Sequence, residues 1–172
     1  LRKEMKMLNI EQSALVIIDI QEKLVMASKY GSEVAINASK LAKAANILNI
    51  QTIVTEQYPQ GLGATVQEVQ GALAQNTSKF EKTAFSALLE VSFANKIAEL
   101  KSKNIKQIVL CGIETHICVL QTASDLISEG FEVYVVKDAC ASRNKKEYKT
   151  GLELLKQYGA KITCVEIALY SS

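Results

Sequence analysis

Cys118 stands where a predicted strand passes through a glycine turn into a predicted helix. The apolar run 108–111 predicts the strand, Gly112 the turn and Thr115 a helix N-cap, so Cys118 falls in the first helical turn. The helix dipole and the unpaired backbone N–H groups there favour a thiolate and can stabilise an oxyanion. A small buried core cysteine fits the same position. The segment therefore predicts either a cysteine nucleophile or a packed thiol.

Two charged residues lie near the ends of other predicted strands. Asp19 closes the apolar run 14–18, and a carboxylate at the mouth of a sheet can act as a general base when partial burial raises its pKa. A helix N-cap or loop carboxylate is an equally good interpretation. Lys82 follows residues 78–81, where a cation could favour a thiolate and hold a carboxylate. A solvated surface lysine is the alternative, and Lys79 is then an equal candidate.

The remaining chemistry-bearing residues exclude several kinds of site. His116 is the only histidine, and at two residues from Cys118 on a helix it would not face the thiol, so a papain-like dyad is not expected. The histidine count and the wide cysteine spacing exclude a zinc site. Gly61 and Gly63 begin a dinucleotide fingerprint, but Val66 replaces its third glycine. We expect no metal and no cofactor.

The other three cysteines are assigned by their predicted surroundings. Cys111 and Cys164 fall inside predicted strands and are expected in the core, whereas Cys140 falls in a loop after a strand and stays ambiguous. The four cysteines form neither metal-like pairs nor a dense disulfide framework. Without a secretory segment, they predict reduced thiols and a cytoplasmic protein.

Size and charge limit the classes of partner. A chain of 172 residues fits one domain, residues 1–172, in which we expect residues 1–12 to form an N-terminal tail. The net charge of +2 favours neither nucleic acid nor a membrane. No run approaches the ~18 apolar residues of a transmembrane helix. A small-molecule partner is therefore expected.

Short apolar runs alternate along the chain with longer amphipathic patterns. This alternation predicts α/β architecture, a three-layer α/β/α doubly wound sheet of about six mostly parallel strands. The predicted strands are 14–18, 51–55, 78–80, 108–111, 133–136 and 161–165. The predicted helices are 32–49, 86–102 with Leu89 on its inner face, 116–129 and 145–158. In such a sheet the site lies beyond the carboxyl ends of the strands, where Asp19, Lys82 and Cys118 all fall.

Five segments together resemble the isochorismatase-like cysteine hydrolase family. They are LVIIDIQ at 15–21, TEQYPQGLG at 55–63, FEKTAFS at 80–86, GIETHICV at 112–119 and VKDACASR at 136–143. They occur in the family's order, and the resemblance covers about residues 13–169. It is greatest to the branch of isochorismatase domain-containing proteins and implies that family's Rossmann-like fold.

The resemblance implies a catalytic triad and an oxyanion hole. The triad would consist of Asp19, Lys82 and Cys118. A cis peptide before Glu114 would aim the Glu114 N–H, together with the Cys118 N–H, at one oxyanion. The pocket wall is assigned to four further residues, for which ordinary packing is an equal interpretation: Tyr58, Phe85, Thr115 and His116. A homo-oligomer is common in the family.

Two departures narrow the implied activity. Nicotinamidases of this family hold a metal through an Asp and histidines, which this chain lacks apart from His116. Isochorismatases proper typically lack the nucleophilic cysteine, so Cys118 argues against vinyl ether hydrolysis. The expected function is a metal-independent cysteine hydrolase that cleaves a C–N bond of a small amide or carbamoyl-type compound through a covalent thioester. The alternatives are a reversible thiol redox sensor or scavenger, and a non-catalytic binding protein with the same fold.

Overall fold

A six-stranded parallel sheet forms the centre of the molecule in the computed structural model, which describes residues 8–171. The strand order is β3-β2-β1-β4-β5-β6, and every neighbouring pair is parallel. The strands are β1 Ser13–Ile18, β2 Gln51–Gln57, β3 Ser78–Lys82, β4 Gln107–Ile113, β5 Glu132–Ala141 and β6 Lys161–Thr163. The predicted doubly wound α/β sheet is confirmed.

Helices cover both faces of this sheet. They are α1 Glu22–Ala27, α2 Gly31–Ile47, α3 Pro59–Leu62, α4 Gln67–Gln70, α5 Val91–Ser102, α6 Leu120–Ser128, α7 Lys145–Gln157 and α8 Val165–Tyr170. The chain steps from β1 to β3 in one direction and from β4 to β6 in the other. Right-handed crossovers therefore place α2 on one face and α6 and α7 on the opposite face.

The burial pattern follows from the residue types. Every residue of β1 and β4 is buried, as expected for central strands rich in Val, Ile and Leu that are covered on both faces. Small residues at helical spacing form the buried stripe of α2, which includes Ala35, Ala38 and Ala42. This stripe lets α2 lie close against the sheet. One core cluster runs through the described residues.

Several strands extend further than their apolar runs predict. β2 continues to Gln57 and β3 to Lys82, and β5 continues past Val136 to Ala141. Lys137 and Asp138 are exposed and interrupt the pattern of β5, but Cys140 and Ala141 pair with β4 beyond a register shift. Cys140 is therefore a buried strand residue, and its assignment to a loop is wrong.

Three further expectations differ from the structure. β6 ends at Thr163, so Cys164 precedes α8 and is only half-buried. The predicted helix 86–102 divides into a 3-10 turn, Ala87–Leu89, and α5, which leaves Leu89 70% exposed. Residues 8–12 are not a tail, because Leu8 is buried and the Asn9 N–H donates to Gln107 Oε1 at 2.7 Å. The rest of the predicted tail, residues 1–7, lies outside the described residues.

Within residues 8–171, none of the helices is both long enough and apolar enough to cross a membrane.

Candidate active site

The carboxyl edge of the sheet brings Asp19, Lys82 and Cys118 together. Asp19 follows β1, Lys82 ends β3, and Cys118 follows β4. Lys82 Nζ lies 2.8 Å from Asp19 Oδ2 and 3.4 Å from Cys118 Sγ. Since β2 separates β1 from β3, the lysine side chain must reach across one strand to make both contacts. The three residues form one buried polar cluster, and their catalytic roles remain a prediction.

Lys82 is held by acceptors from several segments. Its side chain is fully buried, and Nζ donates to Gln57 Oε1 at 2.6 Å. The carbonyl oxygens of Ala84 and Phe85 lie 3.1 and 3.0 Å from Nζ. A buried ammonium is stable only when such partners replace its water shell. Lys79, the alternative from sequence, instead has a 37% exposed side chain.

A pair of glutamines supports the lysine, and sequence reasoning did not assign them a role. Gln57 Nε2 donates to the Thr83 carbonyl at 2.8 Å, which fixes the amide whose Oε1 faces Lys82. The fully buried Gln21 donates from Nε2 to the carbonyls of Gln57 and Gly63, and its Oε1 accepts from the Gln57 N–H. Both glutamines lie within segments that carry the family resemblance, which was the available signal.

Asp19 is fully buried and adopts a left-handed backbone conformation with φ 52°. Aspartate tolerates this region better than most residues. Its Oδ1 accepts a hydrogen bond from Thr55 Oγ1 at 2.8 Å, and its N–H donates to the Thr55 carbonyl at 3.2 Å. Burial raises the pKa of the Asp19 carboxyl, and the Lys82 ammonium opposes that rise. The carboxylate is therefore a stronger base than a solvated aspartate.

The Cys118 thiol differs from its sequence-based expectation. Cys118 is only 7% exposed, and this burial raises the pKa of its thiol to about 12. The Asp19 carboxylate also raises the pKa of the thiol, whereas the Lys82 ammonium lowers it. This net rise is opposite to the direction expected from the sequence. A raised pKa favours the protonated thiol, which lies beside the Asp19 carboxylate.

The turn that carries Cys118 has an unusual backbone. Residues Thr115–Val119 form a single π-helical turn that continues into α6, and its N-cap is Glu114 rather than the predicted Thr115. The Ile113–Glu114 peptide bond is cis, as the family resemblance implies. Gly112 precedes it with φ 144°, and a side chain there would overlap the Ile18 carbonyl oxygen. Glycine at this position lets β4 approach the end of β1.

The segment after β5 fixes this turn from the side. Glu114 Oε2 accepts a hydrogen bond from the Arg143 N–H at 3.1 Å, and His116 Nδ1 lies 2.9 Å from Ser142 Oγ. Gly151 in α7 lies close against the His116 backbone. The His116 ring is therefore part of the support of the turn.

Four residues were predicted to line a substrate pocket, and the structure distributes them differently. A cleft of about 110 Å³ includes Lys82 and Tyr58 in its wall, but neither Asp19 nor Cys118 lines it. Phe85 is half-exposed and is not among the residues lining that cleft. Thr115 is completely buried, and His116 binds Ser142. Contact of any of the four with a substrate stays a prediction.

Residues 8–171 contain no cluster of three or more His, Cys, Asp and Glu side chains that could hold a metal ion.

Comparison with known proteins identifies the family. The model of the isochorismatase domain matches residues 13–167. The chain belongs to the isochorismatase family. Isochorismatase domain-containing protein 2 of Bos taurus is 39% identical over 90% of this chain and 72% of its own length. Isochorismatase domain-containing protein 1 of Danio rerio is 41% identical, over 88% of this chain but only 52% of its own length.

A solved structure within the family matches closely. The MAR1 ribonuclease from Caenorhabditis elegans is 40% identical, with a TM-score of 0.89 over 95% of this chain and 82% of that chain. The isochorismatase family includes hydrolases, so hydrolysis is the class of reaction that family membership suggests.

Proposed function

We propose that this isochorismatase-family protein is a metal-independent cysteine hydrolase that cleaves the C–N bond of a small amide or carbamoyl-type compound. The observation that carries the proposal is the buried contact of Lys82 with both the Asp19 carboxylate and the Cys118 thiol. A nucleophile, a base within hydrogen-bonding reach and a group that orients the base are the parts that covalent acyl transfer requires.

The proposed reaction proceeds in two halves. Asp19 takes the thiol proton as Cys118 Sγ forms a bond to the substrate carbonyl carbon, and the carbonyl oxygen becomes an oxyanion. The Glu114 and Cys118 N–H groups are proposed to stabilise it. Collapse breaks the C–N bond, and the amine leaves with the proton from Asp19. Water then attacks the thioester with Asp19 again as base, which releases the acid and restores the thiol.

The charge balance of the cluster supports this route despite the raised pKa of Cys118. A thiol, a carboxylate and an ammonium have no net charge, and neither do a thiolate, a carboxylic acid and an ammonium. Burial penalises net charge most strongly. Moving the proton between Cys118 and Asp19 beside Lys82 therefore costs less than releasing it to water.

Ribonuclease activity is the second candidate, favoured by the name of the Caenorhabditis elegans relative. Two observations support the small amide instead. Cys118 is buried, and the only histidine binds Ser142. RNA cleavage needs an acid and a base that reach a phosphodiester, and a net charge of +2 provides little attraction for a polyanion.

Two non-hydrolytic functions remain as alternatives. A redox sensor requires a thiolate that oxidants reach, and the raised pKa and the burial of Cys118 argue against it. A non-catalytic binding protein would not need the buried arrangement of Asp19, Lys82 and Cys118. An intracellular location and a homo-oligomeric state accompany the proposal as predictions.

A substrate screen tests the proposal. Small amides, carbamates and ureides are incubated with the wild type and with Cys118→Ala, and ammonia or amine release is measured beside the cleavage of a fluorogenic RNA. The proposal expects release from at least one small compound, abolished in Cys118→Ala, and no RNA cleavage. RNA cleavage that survives exhaustive removal of contaminating nuclease and depends on Cys118 would overturn it.

A further inference from the structure

A second cavity lies at the carboxyl edge of the sheet, away from the catalytic cluster. Its volume is about 270 Å³, larger than that of the cleft beside Lys82. The start of α2, the end of β5 and the start of α7 form its walls. None of Asp19, Lys82 and Cys118 lines it. The proposed hydrolysis leaves this cavity without a role.

The inner surface of the cavity is apolar. Val34, Cys140 and Ala141 line it and are buried. Two aromatic side chains, Tyr30 and Tyr148, stand in its walls. The Tyr148 hydroxyl donates to the Lys137 carbonyl at 2.6 Å, which fixes its ring against the end of β5. Such a surface fits the hydrocarbon or aromatic body of a small molecule.

The rim of the cavity is positively charged. Four lysines and two acids line it, namely Lys29, Lys137, Lys145, Lys149, Glu33 and Asp138. The formal net charge of these six side chains is +2. Within residues 8–171, none of these four lysines takes part in an ion pair. Asp138 Oδ1 is already engaged, because it accepts the N–H of Val165 at 2.9 Å.

Two helices begin at this rim, and their dipoles have the same electrostatic effect as the lysines. Tyr30 precedes α2, a helix of 17 residues, and Asn144 precedes α7, a helix of 13 residues. Tyr30 and Asn144 both line the cavity. The positive ends of the two helix dipoles add to the field of the lysines. The cavity thus combines an apolar interior with a cationic entrance.

We propose that this cavity is a second ligand site, for a small organic anion with an apolar body, such as an aromatic carboxylate. The body would occupy the space between Tyr30 and Tyr148, and the carboxylate would face Lys145 and Lys149 at the start of α7. The inference does not depend on the proposed hydrolysis, since it concerns other residues and needs no turnover.

Calorimetric titration with benzoate and with benzamide, its uncharged counterpart, tests the site. Lys145→Gln/Lys149→Gln removes two cavity lysines, while Lys146→Gln/Lys156→Gln removes two lysines of the same helix outside the cavity lining. Benzoate should bind the wild type more tightly than benzamide. The first double variant should weaken benzoate at least about fivefold, and the second should leave it within about twofold.

The location of binding needs a further control, because benzoate resembles a hydrolysis product. Cys118→Ala should bind benzoate as the wild type does, and Val34→Phe, which fills the cavity, should abolish binding while circular dichroism confirms the fold. Equal weakening by the two lysine double variants, no binding to the wild type, or unchanged binding in folded Val34→Phe would each overturn the proposal. Failure to find an amide substrate would not affect these results.

Discussion

In the proposed mechanism, the position of a single proton between Cys118 and Asp19 governs the chemistry at the residue scale. The raised pKa of the thiol favours its protonated form at neutral pH, so we expect attack to be coupled to proton transfer. Lys82 touches both partners and keeps the cluster neutral in either protonation state. This arrangement differs from a cysteine activated by a helix N-terminus alone, for which the thiolate exists before the substrate arrives.

Removal of the base provides the first prediction. Asp19→Asn keeps the shape of the side chain but cannot take the thiol proton, so the single-turnover rate should fall about 10²- to 10⁴-fold. Cys118→Ala should abolish turnover. The double variant Asp19→Asn/Cys118→Ala should be little worse than Cys118→Ala alone, because the two residues act as one unit. Circular dichroism checks the fold of each variant. A rate for Asp19→Asn within about threefold of the wild type would remove Asp19 from the mechanism.

The pH dependence provides the second prediction. Asp19 must be ionised to act as a base, and burial raises its pKa above the ordinary value of 3.8. Activity should therefore be complete above the raised pKa and fall as the pH drops through it. The acid limb of the kcat/KM profile should lie at higher pH than a solvated aspartate would give. An acid limb at or below pH ~4 would mean that Asp19 is not the titrating base.

Gln57 provides a third prediction, because it positions Lys82 without a place in the proposed chemistry. Gln57→Met keeps the length of the side chain but removes the Oε1 acceptor that lies 2.6 Å from Lys82 Nζ. The cation should then hold Asp19 less well, and kcat should fall about tenfold with KM nearly unchanged. Gln67→Met, at an exposed position, is the matched control. A larger effect on KM than on kcat would assign Gln57 to substrate binding instead.

Sequence reasoning predicted that Asp19, Lys82 and Cys118 lie close together, but it did not predict their surroundings. Asp19 and Cys118 follow strands and Lys82 ends one, and a parallel sheet brings strand ends to one edge, so their proximity was predictable. The choice of Lys82 over Lys79 depended on the family resemblance. The glutamine support was missed because Gln21 and Gln57 are uncharged and no pattern predicts which amide faces a buried ammonium. The direction of the Cys118 pKa depends on burial, which spacing along the chain does not reveal.

At the scale of elements, the approach of β4 to β1 positions Cys118, the proposed nucleophile. Ile18 pairs with Gly112, and the cysteine turn follows directly. The apolar run 108–111 predicted β4. It did not predict that β4 continues to Ile113, or that a π-helical turn follows. The length of β5 was missed for a similar reason, since the exposed Lys137 and Asp138 mask the pairing of Cys140 with Gly112.

A substitution at Gly112 tests this contact. Gly112→Ala places a Cβ against the Ile18 carbonyl oxygen in a backbone region that side chains rarely adopt. Strain and overlap together should lower the free energy of unfolding by about 3 kcal/mol or more. Gly71→Ala, at φ −68° and exposed, should change it by less than about 1 kcal/mol. Urea unfolding measures both, and equal stability of the two variants would contradict the described approach of the strands.

At the scale of the whole molecule, alternation of strand and helix patterns was enough to predict the fold class. The strand order was beyond sequence reasoning, because it depends on which crossovers reverse direction. Residues 8–12 were assigned to a tail together with the basic residues that precede them. Leu8 nevertheless packs into the core, and Asn9 binds Gln107, which lies 98 residues away in the chain.

The predicted homo-oligomer can be tested at the segment beside the cleft. Phe85, Leu89 and Val91 are large apolar residues that are 52%, 70% and 75% exposed. If this segment lies in a subunit interface, Leu89→Glu should lower the assembly state measured by sedimentation equilibrium, because a buried charge is costly there. Ile47→Glu, at a position 80% exposed near the end of α2, is the control. A monomeric wild type would contradict the prediction.

The most direct test of the central claim is trapping of the acyl-enzyme. Once the screen identifies a substrate, wild-type protein is mixed with it, acid-quenched within a turnover and mapped by mass spectrometry. The proposed mechanism predicts an added acyl mass on the peptide containing Cys118, reversed by hydroxylamine and absent from Cys118→Ala. Turnover that persists in Cys118→Ala, or an acyl mass on any other residue, would show that Cys118 is not the nucleophile.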